Sequence, residues 1–227
     1  MPDIWNKNYI FAPSLICLDL CNLEAEIRSL EQMGVEMLHV DLIDGYFSPS
    51  MPIGLDTIKQ LRKITDMPFD VHLMAKDQDF FIRELVDIGI SQLTFHLECE
   101  EHVDMRLNML RSNGIRAGVA LKPSTPITSL NYILEKCDTV LLMLINPGFA
   151  GNSYEKQVPY ARQKIVDLDN LIREQKVSTR IELDGRISKE NIRDFKECGA
   201  SIFVAGTTCI AKDNMKDSID DLIRLCN

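Results

Sequence analysis

Residues His39–Ser50 read HVDLIDGYFSPS and run from what looks like a buried strand into a turn dense with charge. In an extended chain alternate side chains share a face, so His39 and Asp41 point one way while Leu38, Val40 and Leu42 point the other. An apolar face backed by an imidazole and a carboxylate, close to the strand's C-terminal end, is what a sheet needs when that end borders a functional site.

Outward from this stretch the same plan repeats. Short apolar or β-branched runs, YIFAPS, MLHVD, FDVHLM, QLTFHL, RAGVAL, TVLLML, RIELD and SIFVAG, make eight predicted strands. Segments such as LEAEIRSLEQMG and DFFIRELVDIG lie between them, with apolar stripes and closing glycines that suit helix C-caps. The junctions QMGVEMLHV, DIGISQLTF and ECGASIFVA each pass from helix to strand through a glycine. Alternation of this kind predicts βα units and a parallel sheet. With no linker in the 227 residues, one α/β domain over 1–227 is expected. A closed (β/α)8 barrel accounts best for it, because polar residues collect at strand C-termini along the whole chain. An open doubly wound sheet would gather them at one switch point.

Composition narrows the partners. The chain is 45% hydrophobic and 26% charged, as in soluble globular proteins, and its formal net charge of −9 disfavours nucleic acid or an anionic membrane surface. No basic-then-apolar leader and no membrane-length apolar run is read, so a cytoplasmic protein is expected. The seven cysteines form no CxxC pair and read as reduced thiols. Cys17, just beyond the first strand, is the one nearest a ligand in this scheme.

His39, Asp41, His72 and Asp184 come from three strand ends and offer neutral nitrogen and anionic oxygen, which suits Zn2+ or another divalent ion. The competing reading, core histidines with loop-capping aspartates, would require many other partners at one barrel end. After the sixth strand, NPGFAGNS has Gly148 and Gly151 flanking a turn able to bring backbone N–H groups to an anion. After the eighth, VAGTTCIA sets Gly206 and Thr207 at the expected start of a short helix. Together they favour a phosphorylated substrate. His96, His102 and LECEEH read as a strand end and a solvated loop.

The ordered phrases PSL at Ser14, HVDLIDGYF, HLM at His72 to Met74, LKPSTP at Leu121 to Pro126, NPGFAG and ELDGR resemble the ribulose-phosphate 3-epimerase family across nearly the whole chain. The resemblance implies a TIM barrel in which His39, Asp41, His72 and Asp184 hold one divalent metal ion, Zn2+ first, with Fe2+, Mn2+, Co2+ and Mg2+ as alternatives. It implies that Asp41 and Asp184 exchange protons at C3 of a phosphorylated ketose through an enediolate. It also implies substrate contacts from Ser14, His72, Met74 and Met143, and from the phosphate-side residues Gly148, Phe149, Ala150, Gly151, Gly185, Arg186, Gly206 and Thr207. Family members are commonly oligomeric, so a homo-oligomer is expected.

Three positions depart from the family pattern: Ile43 replaces a methionine, Ser50 follows Pro49 where Asn is usual, and Arg186 stands where a second glycine is typical. Arg186 could pair with phosphate or turn to solvent. SLICLDL, NPGFAG and AGT lean toward the allulose-6-phosphate 3-epimerase branch, with ribulose 5-phosphate/xylulose 5-phosphate as the alternative substrate pair. A decarboxylase or aldolase of the Asp-x-Lys type is disfavoured, since HVDLID has no lysine beside Asp41. A non-catalytic sugar-phosphate sensor would have little need for two aspartates and a metal.

Overall fold

The computed structural model describes residues 4–207, 210 and 214–226. Its strands are β1 (Ile10–Pro13), β2 (Leu38–Ile43), β3 (Phe69–Met74), β4 (Gln92–His96), β5 (Arg116–Leu121), β6 (Thr139–Met143), β7 (Arg180–Asp184) and β8 (Ile202–Ala205). Every predicted strand is present, three with the expected bounds and the others trimmed or extended by one or two residues. They run parallel in one sheet of order β1-β8-β7-β6-β5-β4-β3-β2, and the seam between β1 and β2 closes through a single bridge, Ser14 with His39. The result is the (β/α)8 barrel.

The helices are α1 (Leu23–Gln32), α2 (Leu55–Arg62), α3 (Gln78–Ile88), α4 (Val103–Ser112), α5 (Ala161–Gln175), α6 (Ile192–Glu197) and α7 (Met215–Cys226). Gly89 ends α3 at φ +80, a left-handed cap that frees the chain to turn into β4. One expected unit differs. Between β5 and β6 the described chain forms two 3-10 turns, Ile127–Leu130 and Leu134–Lys136, in place of an α-helix. Pro123 and Pro126 remove backbone donors there, and Thr125, Ile127 and Thr128 are stiff at χ1.

The outward faces of the strands, among them Leu38, Val40, Val71, Leu73, Leu93 and Phe95, pack beneath the helices as the main core. Each such side chain contributes about 1.5–3 kcal/mol through burial. The inward faces differ from end to end. Ile10, Ala12, Met37 and Ile202, with Ile4 below them, plug the N-terminal end. Beneath, Arg180 donates to the carbonyls of Trp5 and Asn8, each at 3.2 Å, and the Arg116 guanidinium lies 4.4 Å from the Trp5 ring centre. Farther up, Ala120, Leu141, Met143 and Ile145 keep the β5–β6 side apolar, while Asp70, Gln92, Thr139 and Glu182 are polar and fully buried. The barrel is thus held by its outer layer and by an apolar floor, which leaves its upper interior free to carry charge. No helix of the described residues is long and apolar enough to cross a membrane.

Gly118 in β5 marks the tightest point of the wall: a Cβ there would stand 2.5 Å from the Thr139 carbonyl oxygen and 2.9 Å from Thr94 Cγ2. Gly118→Ala should therefore lower stability by about 1–3 kcal/mol. Thermal unfolding reads this directly, and a Tm equal to that of the unaltered protein would mean that β5 and β6 separate there without penalty.

Candidate active site

The strand register builds the site. Cα pairing sets His39 beside Asp70 and Asp41 beside His72 on neighbouring β2 and β3, and β7 adds Glu182 and Asp184 with the same two-residue spacing. Asp41 Oδ1 lies 3.2 Å from His72 Nδ1 and 3.3 Å from His39 Nε2, and Asp184 Oδ2 lies 3.9 Å from His72 Nδ1. Ser14 donates its hydroxyl to Asp41 Oδ2 at 2.9 Å. One donor atom each from His39, Asp41, His72 and Asp184 falls within 4.8 Å of the others. Although close to Asp41, His39 Nε2 is buried and makes no hydrogen bond. An orphaned imidazole nitrogen inside a His2Asp2 donor set fits a divalent metal ion.

Both imidazoles are gripped from behind. His39 Nδ1 meets Asp70 Oδ2 at 2.7 Å. Gln92 Nε2 donates to Asp70 Oδ1 at 2.8 Å and to Glu182 Oε2 at 3.1 Å, and Thr139 donates to Gln92 Oε1 at 2.7 Å. His72 Nε2 lies 3.0 Å from His96 Nε2, and His96 Nδ1 lies 2.9 Å from Glu98 Oε2. With Nδ1 of His72 turned to the donor set, its Nε2–H donates to His96, whose Nδ1–H then donates to Glu98; one tautomer satisfies the whole row. This corrects the expectation for LECEEH. His96 is fully buried, and the Glu98 carboxylate accepts the Lys122 backbone N–H at 2.8 Å as well as the Thr125 hydroxyl, while Glu100 is held by Arg106 at 3.0 Å. Glu98, Glu101 and His102 are the exposed residues of the run. A single strand's pattern could not reveal a bond to a loop beyond the next strand.

Electrostatics separate the carboxylates. Burial works against charge on Asp41, yet His39 and His72 outweigh it and hold this carboxyl well below the usual carboxylate range. Burial first, and the Asp41 charge second, push Asp184 up to about 6. Burial and the neighbouring Asp70 raise Glu182 well above an ordinary glutamate, whereas Asp70, opposed by burial, is lowered by His39. His39 is raised, since Asp41 and Asp70 overcome its burial.

Above the cluster opens a cavity of about 150 Å³. Ser14, Cys17, Asp41, Met74, Met143 and Asp184 line it together with Gly148, Ala150, Gly151, Gly185, Arg186, Gly206 and Thr207. His39 and His72 lie beneath, fully buried. Phe149 is not part of this lining; it is 36% exposed. Burial, followed by Asp41, pushes the Cys17 thiol up to about 11, so it lines the cavity as a neutral group. Sequence reasoning did not name Pro52, Ile145 or Val204 for this wall. Ile145 and Val204 were findable, being two residues from Met143 and Gly206 in phase, but Pro52 carried no such signal.

The rim loops are tightly fitted. Gly148, at φ +85, packs on Ser48, so no side chain fits between the β2 and β6 loops. The Ile210 N–H donates to the Gly206 carbonyl at 3.0 Å, while the helix expected to start at Gly206 and Thr207 runs into residues outside the described ones. Arg186 lines the cavity and is half-buried rather than turned out to solvent. Its Nη2 donates to the carbonyls of Ala150 at 2.9 Å, Asn152 at 3.2 Å and Glu155 at 3.2 Å, which fastens the β6–α5 loop to the end of β7. Its φ of +58 costs a non-glycine residue roughly 1–2 kcal/mol.

The sequence profile described as the ribulose-phosphate 3 epimerase family matches residues 10–210. The chain belongs to that family. The ribulose-phosphate 3-epimerase of Escherichia coli (strain K12) is 35% identical over 217 residues, covering 95% of both chains. That of Bacillus subtilis (strain 168) is 33% identical over 212 residues, covering 93% of this chain and 96% of its own. A 3-keto-L-gulonate-6-phosphate decarboxylase from Vibrio cholerae superposes with a TM-score of 0.68 over 97% of this chain and 98% of its own; at 12% identity that likeness is one of fold alone. As a member of the ribulose-phosphate 3-epimerase family the protein is an isomerase of the epimerase kind.

Burial holds His96 down at about 4, against an ordinary 6.5. Between those values the unfolded chain binds a proton that the folded chain refuses, so stability falls as pH drops through the window. In metal-free protein, His96→Asn should make the acid-side loss shallower by about 1–3 kcal/mol. Urea unfolding at successive pH values measures it; an unchanged pH slope would remove His96 from the acid response.

Proposed function

We propose that the protein interconverts D-ribulose 5-phosphate and D-xylulose 5-phosphate by inverting C3. The carrying observation is the pair Asp41 and Asp184: two carboxylates from strands separated by β1 and β8, bordering one cavity, with proton affinities driven apart. The expected lean toward D-allulose 6-phosphate and D-fructose 6-phosphate rested on SLICLDL, NPGFAG and AGT. The relatives at 35% and 33% identity carry the ribulose-phosphate name and support the five-carbon ketose instead.

The C3 hydrogen of such a ketose is acidified by the adjacent C2 carbonyl, and its removal leaves an enediolate. One aspartate takes the proton from one face of the substrate and the other returns a proton to the opposite face, which inverts the centre without a hydride cofactor. Asp41, kept anionic by its histidines and oriented by the Ser14 hydroxyl, suits the base; Asp184, with the higher proton affinity, suits the donor. In the reverse reaction the roles exchange. Met74, Met143 and Ile43 give the reacting carbons an apolar wall that keeps water off the enediolate. Gly148, Gly151, Gly185 and Gly206 let the backbone approach a phosphate at the far side of the cavity. Held by His39, Asp41, His72 and Asp184, a divalent ion, Zn2+ by the donor set, would supply a Lewis acid to the carbonyl and the enediolate oxygens.

Asp41→Asn and Asp184→Asn should each reduce C3 exchange with deuterated solvent by at least about 10²–10⁴-fold while retaining the native circular dichroism spectrum. Near-normal exchange in either variant would remove that residue from the acid–base pair. Removing metal with a chelator should abolish exchange and lower Tm, because an ion bound only by the folded state stabilises it. Zn2+ should restore both; full turnover in a verified metal-free preparation would overturn the metal role. Substrate binding without exchange for either the pentulose or the hexulose phosphate would favour the sensor instead.

A further inference from the structure

Arg186 stands at a costly backbone conformation, and neighbouring side chains hold it there. Gln157 Nε2 donates to the carbonyls of Gly185 at 3.0 Å and Arg186 at 3.4 Å, and Asn191 Nδ2 donates to the Arg186 carbonyl at 2.9 Å. A residue held left-handed by several partners points to a task for its side chain. One part of that task is visible in the three loop carbonyls that Nη2 engages.

The rest of the guanidinium is uncommitted. Among the described residues, its Nε and Nη1 make no hydrogen bond and no carboxylate lies within ion-pair distance. Carbonyl oxygens accept hydrogen bonds but cannot neutralise a cation. Arg186 thus brings a full positive charge, with N–H groups to spare, to the wall that also contains Gly148, Gly151, Gly185 and Gly206, in a chain whose net charge is −9.

We propose that Arg186 is a specificity-determining residue with two linked tasks: through Nη2 it latches the β6–α5 loop over the cavity, and through its remaining N–H groups it binds the substrate's phosphate. This deepens the proposed function and rests on its reading of the substrate as a phosphate ester. A guanidinium at this point selects a dianionic ester over the unphosphorylated ketose, because only the ester compensates the charge. It also ties occupancy of the phosphate end to loop position, since one planar group touches both.

The test uses metal-loaded full-length protein and two readouts. Calorimetric titration with inorganic phosphate should find binding to the unaltered protein weakened about tenfold or more by Arg186→Gln, which can still bond a loop carbonyl but carries no charge. Arg186→Lys should fall between them, and Arg186→Gly, which relieves the backbone, should be no better than Arg186→Gln. In turnover the loss should fall on KM for the ketose phosphate rather than on kcat. Phosphate affinity and KM unchanged in both the Gln and Gly variants, with only Tm altered, would reduce Arg186 to a loop latch and overturn the proposal. Arg186-dependent phosphate binding by a protein that exchanges no C3 proton would uphold this inference while sinking the epimerase reading. Failure of the unaltered protein to bind phosphate would sink this inference whatever the activity.

Discussion

Three imidazoles, those of His39, His72 and His96, and four carboxylates, those of Asp41, Asp70, Glu182 and Asp184, share the upper interior of the barrel, and all but Asp184, which borders the cavity, must be compensated where the fold buries them. A lone buried charge costs far more than any single packing contact contributes. The neighbours follow from this constraint: Gln92 bridges Asp70 and Glu182, Thr139 anchors Gln92, and Glu98 takes the far end of the His72–His96 row. The interior stabilises little on its own. The outer strand faces under the helices supply the hydrophobic stabilisation that lets such a cluster persist.

Closure of the barrel and construction of the site are one event. The β1–β2 seam is joined by one bridge, Ser14 with His39, and the same Ser14 orients Asp41 through its hydroxyl. A shift in that seam would move His39 and Asp41 together. On the opposite rim the fit is equally close: Gly148 rests on Ser48, and Arg186 fastens the loop carrying Gly148 and Gly151 to the strand end carrying Asp184. Asp184 and the loop that carries Gly148 and Gly151 are therefore coupled through β7.

The strands and the inward phase of His39, Asp41, His72 and Asp184 were legible because alternation along a strand is a local property. The same phase carried Asp70, Glu182 and Gln92, which no motif along the chain singled out. Their role emerges only once the register brings β2, β3, β4 and β7 around one axis. The absent helix between β5 and β6 is likewise explicable from Pro123 and Pro126, local signals that were outweighed by the expectation of a regular repeat. Phe149 sits within the NPGFAG phrase yet outside the cavity lining, because a motif orders residues along the chain without directing each side chain inward.

What the sequence by itself determined was the type and order of the elements and the face each strand turns inward, His39, Asp41, His72 and Asp184 included, since backbone torsions and side-chain alternation reach only a few residues along the chain. The tertiary structure alone decided that His96 backs His72, that Arg186 grips carbonyls 31 to 36 residues away, and that Asp41 and Asp184 differ in proton affinity. Hydrogen bonds and Coulomb fields act through distance in space, and desolvation depends on what the fold packs around a group. None of these is written in the spacing of residues along the chain.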